Sequence, residues 1–429
     1  KVGLYLDYDT LLAAELVDNV QFAQSGKPLS LSGAMKLAEN KNLDIEAAKQ
    51  LWLASYWQTQ SLRTSQRPQL QLNGQWNHQG ISDPISAFSA PNTDSAFLGA
   101  QISQLLYSDR ITSQIRSQRE VEAATKLDME SIKLDSIQEA GTAYIDCLLT
   151  EALYQVEKRN LALASQNKSL AQTRSDIGAA EASEVYRWQA SLAQSRAQLI
   201  QRDIARKNAL VALNVAMSQP RTKNWNFLDI EVKDDDFYFM NKALHRHVKT
   251  QRDFDRYTHF VKKLAVWNAP ELKAFQKNLT AQGISLAERN RRNYRPEVSL
   301  TATARRSLSE VSQHYDAQSE WTVGVGFTIP LFEGGLKNTE TKRFQAIIAQ
   351  LQAQRDKARY QIEQQALSGV YLSSSSHPTL RLSRVAVEAS KKNYDAVKSK
   401  YSQGAASVVD LLDAQSQLTT KQQSDVSAK

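Results

Sequence analysis

Residues 320–335, EWTVGVGFTIPLFEGG, constrain this chain more than any other stretch. Val323, Val325, Phe327 and Ile329 alternate with Thr322, Gly324, Gly326 and Thr328. A period of two makes a strand with one apolar face and one small or polar face. Pro330 removes a ladder donor and closes that strand. Beyond Gly334 and Gly335 a charged, Gln- and Ala-rich segment takes helical spacing, so a short strand feeds directly into a very long helix. The chain contains this junction twice.

From residue 30 the first half reads in order. A helix is expected over 30–67, ended by Arg67–Pro68. Leu70, Leu72 and Trp76 alternate with Gln69, Gln71, Asn73 and Gln75 as a strand, a polar loop covers 83–94, and Leu98, Ala100 and Ile102 mark a second strand. Residues 109–176 hold no proline and one glycine, Gly141. At ~1.5 Å per residue that helix is roughly 100 Å long. Gly178 breaks it, and a return helix runs over 182–217. Residues 1–29 read as an N-terminal extension and 219–264 as a linker containing Trp225, Phe227 and the acidic run Asp234 to Asp236. Residues 265–429 then replay 30–218: a helix over 270–293, a strand on Val298, Leu300, Ala302 and Ala304, a polar loop over 305–319, the opening strand, a long helix to about 400 and a return helix from 407. Arg67–Pro68 recurs at an offset of 228, Leu106–Tyr107 as Leu331–Phe332 at 225, and Gly178, Gln189 and Leu192 as Gly404, Gln415 and Leu418 at 226. This is duplication of a whole unit, far longer than a solenoid repeat.

Each half supplies two strands of about the length that crosses a tilted bilayer path, roughly 9–11 residues. Four strands cannot close on themselves, and open edges are not tolerated in hydrocarbon. A membrane reading therefore demands several copies, eight strands from two chains or twelve from three. Trp76, Tyr107, Tyr294, Trp321 and Phe332 lie near strand ends, where an aromatic girdle belongs. A soluble β-sandwich would use the same alternation. The long helix after Gly335 carries a seam of Phe344, Ile348, Leu351, Ala358 and Ile362 at helical spacing, surrounded by Gln, Ala, Lys and Arg. So narrow an apolar stripe suits a hollow helical wall better than a solid bundle.

The totals exclude other classes. With 53 Lys+Arg against 45 Asp+Glu the net charge of +8 is diffuse, without the basic and aromatic cluster that nucleic acid requires. Length suggests two or three domains, and 15 Gly and 9 Pro in 429 residues imply long elements. Cys147 sits alone in an apolar helical run as a packed thiol. No stretch reaches the ~18–20 apolar residues of a spanning helix. No signal peptide is visible at Lys1. His245, His247 and His259 lack acidic or thiol co-ligands at metal spacing, and neither a nucleophile triad nor a phosphate-cradling loop is present, so no enzyme, metal or cofactor is expected.

IPLFEGG entering a helix, RPQL and RPEV entering strands, and YSQGAASVVDLLDAQSQL at the second hairpin resemble the TolC family of outer-membrane factors over residues 30–218 and 265–429. The resemblance implies a mixed α and β membrane protein. Three chains would build a twelve-stranded barrel in the outer membrane of a Gram-negative bacterium and a helical barrel in the periplasm. An equatorial region would come from the linker and the chain ends. It implies an exit duct for a tripartite efflux pump or a type I secretion system, partnered by a periplasmic adaptor, an inner-membrane transporter of RND or ABC type and outer-membrane lipid. The family's gate aspartates fall on Asp410 and Asp413, its gate-holding tyrosine on Tyr401 and the acidic partner on Glu184. Three residues apart, the aspartates share a helix face, and three copies would form a cation-preferring ring of six carboxylates. They are also what the N-terminus of a solvated helix favours by itself. Where the family has an arginine two residues past the hairpin glycine this chain has Ala406, with Arg187 as a substitute partner. The tips Ile177, Gly178, Ala179 and Gln403, Gly404, Ala405 fall where the family meets its adaptor. Four serines, Ser373 to Ser376, followed by His377–Pro378 predict a kink, bulge or break in the second long helix. The competing reading is a soluble or periplasmic coiled-coil adaptor or tether.

Overall fold

The computed structural model describes residues 28–79, 93–230, 248, 250–308 and 319–429. In chain order its elements are α1 (Leu31–Lys41), α2 (Leu43–Thr64), β1 (Gln69–Gln79), β2 (Thr93–Tyr107), α3 (Asp109–Asp176), α4 (Ala182–Ala216), α5 (Gln251–Asn268), α6 (Pro270–Arg291), β3 (Glu297–Ser307), β4 (Ser319–Thr328), α7 (Leu336–Ser402) and α8 (Val408–Ala428). Packing sorts them into two compact units that each draw on both halves of the chain. One takes residues 1–47, 132–268 and 362–429, the other 48–131 and 269–361.

The second unit holds a single antiparallel sheet in the order β1-β2-β3-β4. Residues directly opposite one another share a face. Leu70, Ile102, Ala302 and Val323 form one row across all four strands, and Leu72, Ala100, Ala304 and Trp321 the next. Between them runs a row of Gln71, Gln101, Thr303 and Thr322. The period-two pattern thus becomes one apolar and one polar sheet face. Among the described residues nothing covers the apolar one: Leu72 is 74% exposed and Phe327 73%. A soluble sandwich would bury those side chains, so the alternation belongs to a different architecture. At the strand exits, Ser108 Oγ accepts from the Ile111 amide at 3.2 Å to start α3. Gly334 and Gly335, both at positive φ, turn the chain into α7.

In the first unit, Tyr144 of α3 donates to both the Leu29 and Leu228 carbonyls, at 2.8 and 2.7 Å, and anchors the segment after α4. Cys147 packs beside it as a buried thiol whose pKa burial pushes up to about 12.

Two expectations change. The helix over 30–67 divides at Asn42, which turns extended, accepts from the Asp44 amide at 2.7 Å and donates to the Ala216 carbonyl at 2.9 Å. Its side chain caps α2, and that partner lies 174 residues away in sequence. Within the linker over 219–264, α5 begins at Gln251 with Phe254, Tyr257, Val261 and Leu264 on one face. The run Asp234 to Asp236, His245 and His247, and most of the loops expected over 83–94 and 305–319, lie outside the described residues. Finally, α7 runs unbroken through Pro378. The proline leaves the Ser374 carbonyl without its helical donor. Around it, the Ser374, Ser375, Ser376 and Thr379 hydroxyls donate to the carbonyls of Tyr371, Leu372, Ser373 and Ser375 at 2.7–3.0 Å. The serine tract reads as a breaker in sequence and here supplies backbone hydrogen bonds to the turns beside the proline.

Candidate functional site

Both helical hairpins turn in the same way. Gly178 and Gly404 take φ of 74° and 80°. Ala179 N–H closes on the Arg174 carbonyl and Ala405 N–H on the Lys400 carbonyl, each at 2.8 Å. These are Schellman closures, in which only glycine meets the left-handed requirement without cost.

Behind the tips a core of Ala171, Val185, Trp188, Tyr394, Tyr401, Val408, Leu411, Ala414 and Leu418 ties the hairpins together. Tyr401, at the end of α7, is completely buried and donates to Glu184 Oε2 at 2.6 Å. Burial first, and then Glu184 beside the phenol, hold its pKa up to about 12. Arg174 completes the arrangement, and sequence reasoning missed it. Its guanidinium lies 4.3 Å above the Tyr401 ring, donates to the Tyr401 carbonyl at 2.6 Å and reaches the Ala179 carbonyl at 3.1 Å. One cation therefore caps the end of α7 and fastens the α3–α4 turn. The available signal was a basic residue in the last turn of α3, matched by Lys400 in α7.

Asp410 and Asp413 lie exposed on the first turns of α8. Asp410 Oδ2 accepts from the Ser407 amide at 3.0 Å, and the Asp410 amide donates back to Ser407 Oγ at 3.2 Å, a capping box. The Ser407 hydroxyl and amide hold the Asp410 carboxyl below its ordinary range. Asp413 accepts from Gln417 at 2.7 Å and points to solvent. The structure thus brings together Tyr401, Glu184 and Arg174, with both aspartates one hairpin turn away. Among the described residues Arg187 is exposed and forms no ion pair. Ala406, in the place of the family's arginine, packs against the core.

The five aromatics expected in a girdle are all exposed and fall into two groups. Trp76 and Trp321 sit toward the loop ends of their strands. Tyr107, Tyr294 and Phe332 sit at the opposite, helix-connected ends, where Arg295 donates to the Tyr107 hydroxyl at 2.9 Å and Lys337 stands 5.0 Å above the Tyr294 ring.

Residues 262–429 match the family model described as outer membrane efflux protein. Over 96% of this chain and 84% of the relative, the sequence is 20% identical to the outer membrane efflux protein BepC of Brucella suis biovar 1. The chain is thus similar to outer membrane efflux proteins along nearly its whole length. A shorter stretch of 139 residues is 24% identical to the outer membrane protein TolC of Salmonella enteritidis, over 32% of this chain and 28% of that protein. The fold agrees: the outer membrane protein VceC from Vibrio cholerae superimposes with a TM-score of 0.75 at 15% identity, over 93% of this chain and 92% of VceC. The uncovered apolar rows of the sheet are a surface of the kind that lipid would cover.

Proposed function

We propose that three copies of the chain form an exit duct for a tripartite efflux pump or type I secretion system. The outer edges of β1 and β4, unpaired among the described residues, carry the trimer reading, because a four-stranded sheet in lipid must close on further copies. Twelve strands then make the outer-membrane barrel, with Trp76 and Trp321 in one aromatic girdle and Tyr107, Tyr294 and Phe332 in the other. The duplicated order supports a helical portion in which each chain contributes two like hairpins.

The periplasmic end closes at Asp410 and Asp413. Three copies place six carboxylates around one opening, and their exposed position at the start of α8 supports that role. Tyr401–Glu184 and Arg174 hold the second hairpin against the first and so bias the gate toward closure. Ala406 supplies no cation, which leaves this lock to Arg174 and Tyr401. The tips 177–179 and 403–405 are exposed at all six positions and present the contact for a periplasmic adaptor, which an inner-membrane transporter joins.

Ion conductance of the detergent-purified protein in a planar bilayer tests the reading. The wild type should give a small, cation-preferring conductance. Asp410→Asn/Asp413→Asn should raise it or abolish the preference. A conductance indifferent to the double substitution places the constriction elsewhere, and failure to insert removes the duct.

A further inference from the structure

The hairpins carry one polar pair twice, at the offset of 226, and use only one copy inside the chain. Asn167 of α3 donates to Gln415 of α8 at 2.7 Å, and both are buried. The pair belongs to a ladder along these two helices. Gln415 and Thr419 donate to Asn160 at 2.9 and 3.0 Å, and Gln423 donates to Glu157 at 3.3 Å.

The equivalent of Asn167 is Asn393 on α7, and that of Gln415 is Gln189 on α4. Both are exposed. Their neighbours repeat the contrast. Val156 beside the ladder on α3 is 1% exposed, while its equivalent Leu382 on α7 is 62% exposed. Thr419 and Gln423 are replaced on α4 by Ala193 and Ala197, and Ile200 and Ile204 extend that face into solvent at spacings of three and four. One seam is thus built twice. The α3–α8 copy is covered within the chain, and the α7 and α4 copies stand open.

We propose that Gln189 of one copy of this chain and Asn393 of the next form, between chains, the hydrogen bond that Gln415 and Asn167 form within one. This rests on the trimeric reading above and names the residues that fix its register. The partner is a second copy of the chain, because the covering surface that suits the α4 seam is already defined by its duplicate: α3 covers α8, and α7 is the copy of α3. Such a contact is head-to-tail, with unlike patches meeting, so it propagates around a ring until the ring closes. The internal seam has several polar rungs. The open seam keeps one, among Ala193, Ala197, Ile200, Leu382 and Ala386. A lone polar pair in an apolar helix seam sets register, since sliding by a turn buries both amides without partners.

The test is cross-linking of the full-length, detergent-purified chain carrying Cys147→Ser. Gln189→Cys/Asn393→Cys, treated with a short bis-maleimide, should give covalent dimers and trimers, while each single variant stays monomeric on a denaturing gel. Trimers by native mass with no cross-link, or with cross-links only inside one chain, overturn the pairing and leave the trimer standing. Absence of trimers by native mass overturns both. A charge exchange supplies a second readout: Gln189→Glu should lower the temperature at which trimers dissociate, and adding Asn393→Lys should restore it. Equal dissociation temperatures for the single and double variants count against the pairing.

Discussion

The α3–α4 and α7–α8 hairpins share their glycine, their Schellman closure and three pairs of core positions: Val185 with Leu411, Trp188 with Ala414, and Leu192 with Leu418. They differ in how each return helix begins. The second starts with a complete capping box between Ser407 and Asp410. The first starts at Glu181 with no side-chain cap. Its turn is held instead by Arg174, whose guanidinium also ties down Tyr401 from the other hairpin. Duplicated segments can therefore keep the same turn while one stabilises its helix start locally and the other depends on its neighbour. The self-capped hairpin is also the one that carries Asp410 and Asp413.

The largest expected effect comes from erasing the core asymmetry. Trp188→Ala gives the first hairpin the residue its counterpart has at 414 and leaves a large cavity, at a cost of about 3–5 kcal/mol. Hydrogen exchange across 160–200 should show protection falling by the corresponding orders of magnitude, and unchanged protection would mean that the core closes around the gap. Next comes Arg174→Lys, which installs the residue type found at 400. A lysine cannot reproduce the stacked, two-pronged arrangement, so about 2 kcal/mol should be lost. Limited proteolysis should then cut faster at both tips, and cutting at 177–179 alone would show that Arg174 does not couple them.

Tyr401→Phe should cost about 1–1.5 kcal/mol through the lost bond to Glu184 and enlarge the bilayer conductance. The same contact has an alkaline limit. Since the folded pKa, about 12, lies above the ordinary value of 10.0, the contribution is complete below pH 10 and is lost as pH rises through 12. Exchange protection at 399–403 should fall over that window in the wild type, and Tyr401→Phe should remove the dependence. The smallest effects concern the caps. Ser407→Ala should destabilise the start of α8 by about 1 kcal/mol, while Glu181→Ser should gain about 0.5–1 kcal/mol at the start of α4. Amide exchange in the two first turns measures both. Because Ser407 lowers the Asp410 pKa, the box is present above the ordinary carboxylate range and fails as pH falls through the folded value.

The strands, both strand-to-helix junctions, the long helices and the hairpin turns were legible in the sequence, because each is fixed locally by a period of two, a helical repeat or a glycine. Tyr401 and Glu184 were legible through the family likeness, and they do meet. Arg174 was not, since a basic residue ending a helix is ordinary until its partner carbonyl 227 residues away is known. Asn42 looked like an interior helical residue for the same reason, its partner being the Ala216 carbonyl. Pro378 looked like a break because a breaker is judged by its own backbone, while four neighbouring hydroxyls bond the turns beside it.

By itself the sequence determined which segments are strand and helix, where they turn, and that the plan is used twice. Those properties depend on residues a few positions apart. Only the tertiary structure decided which copy of a repeated residue is buried: Gln415 and Asn167 face each other in the core, and Gln189 and Asn393 face solvent. The same residue types occupy equivalent places at like helical spacing, and what separates them is the helix that covers one copy and leaves the other open.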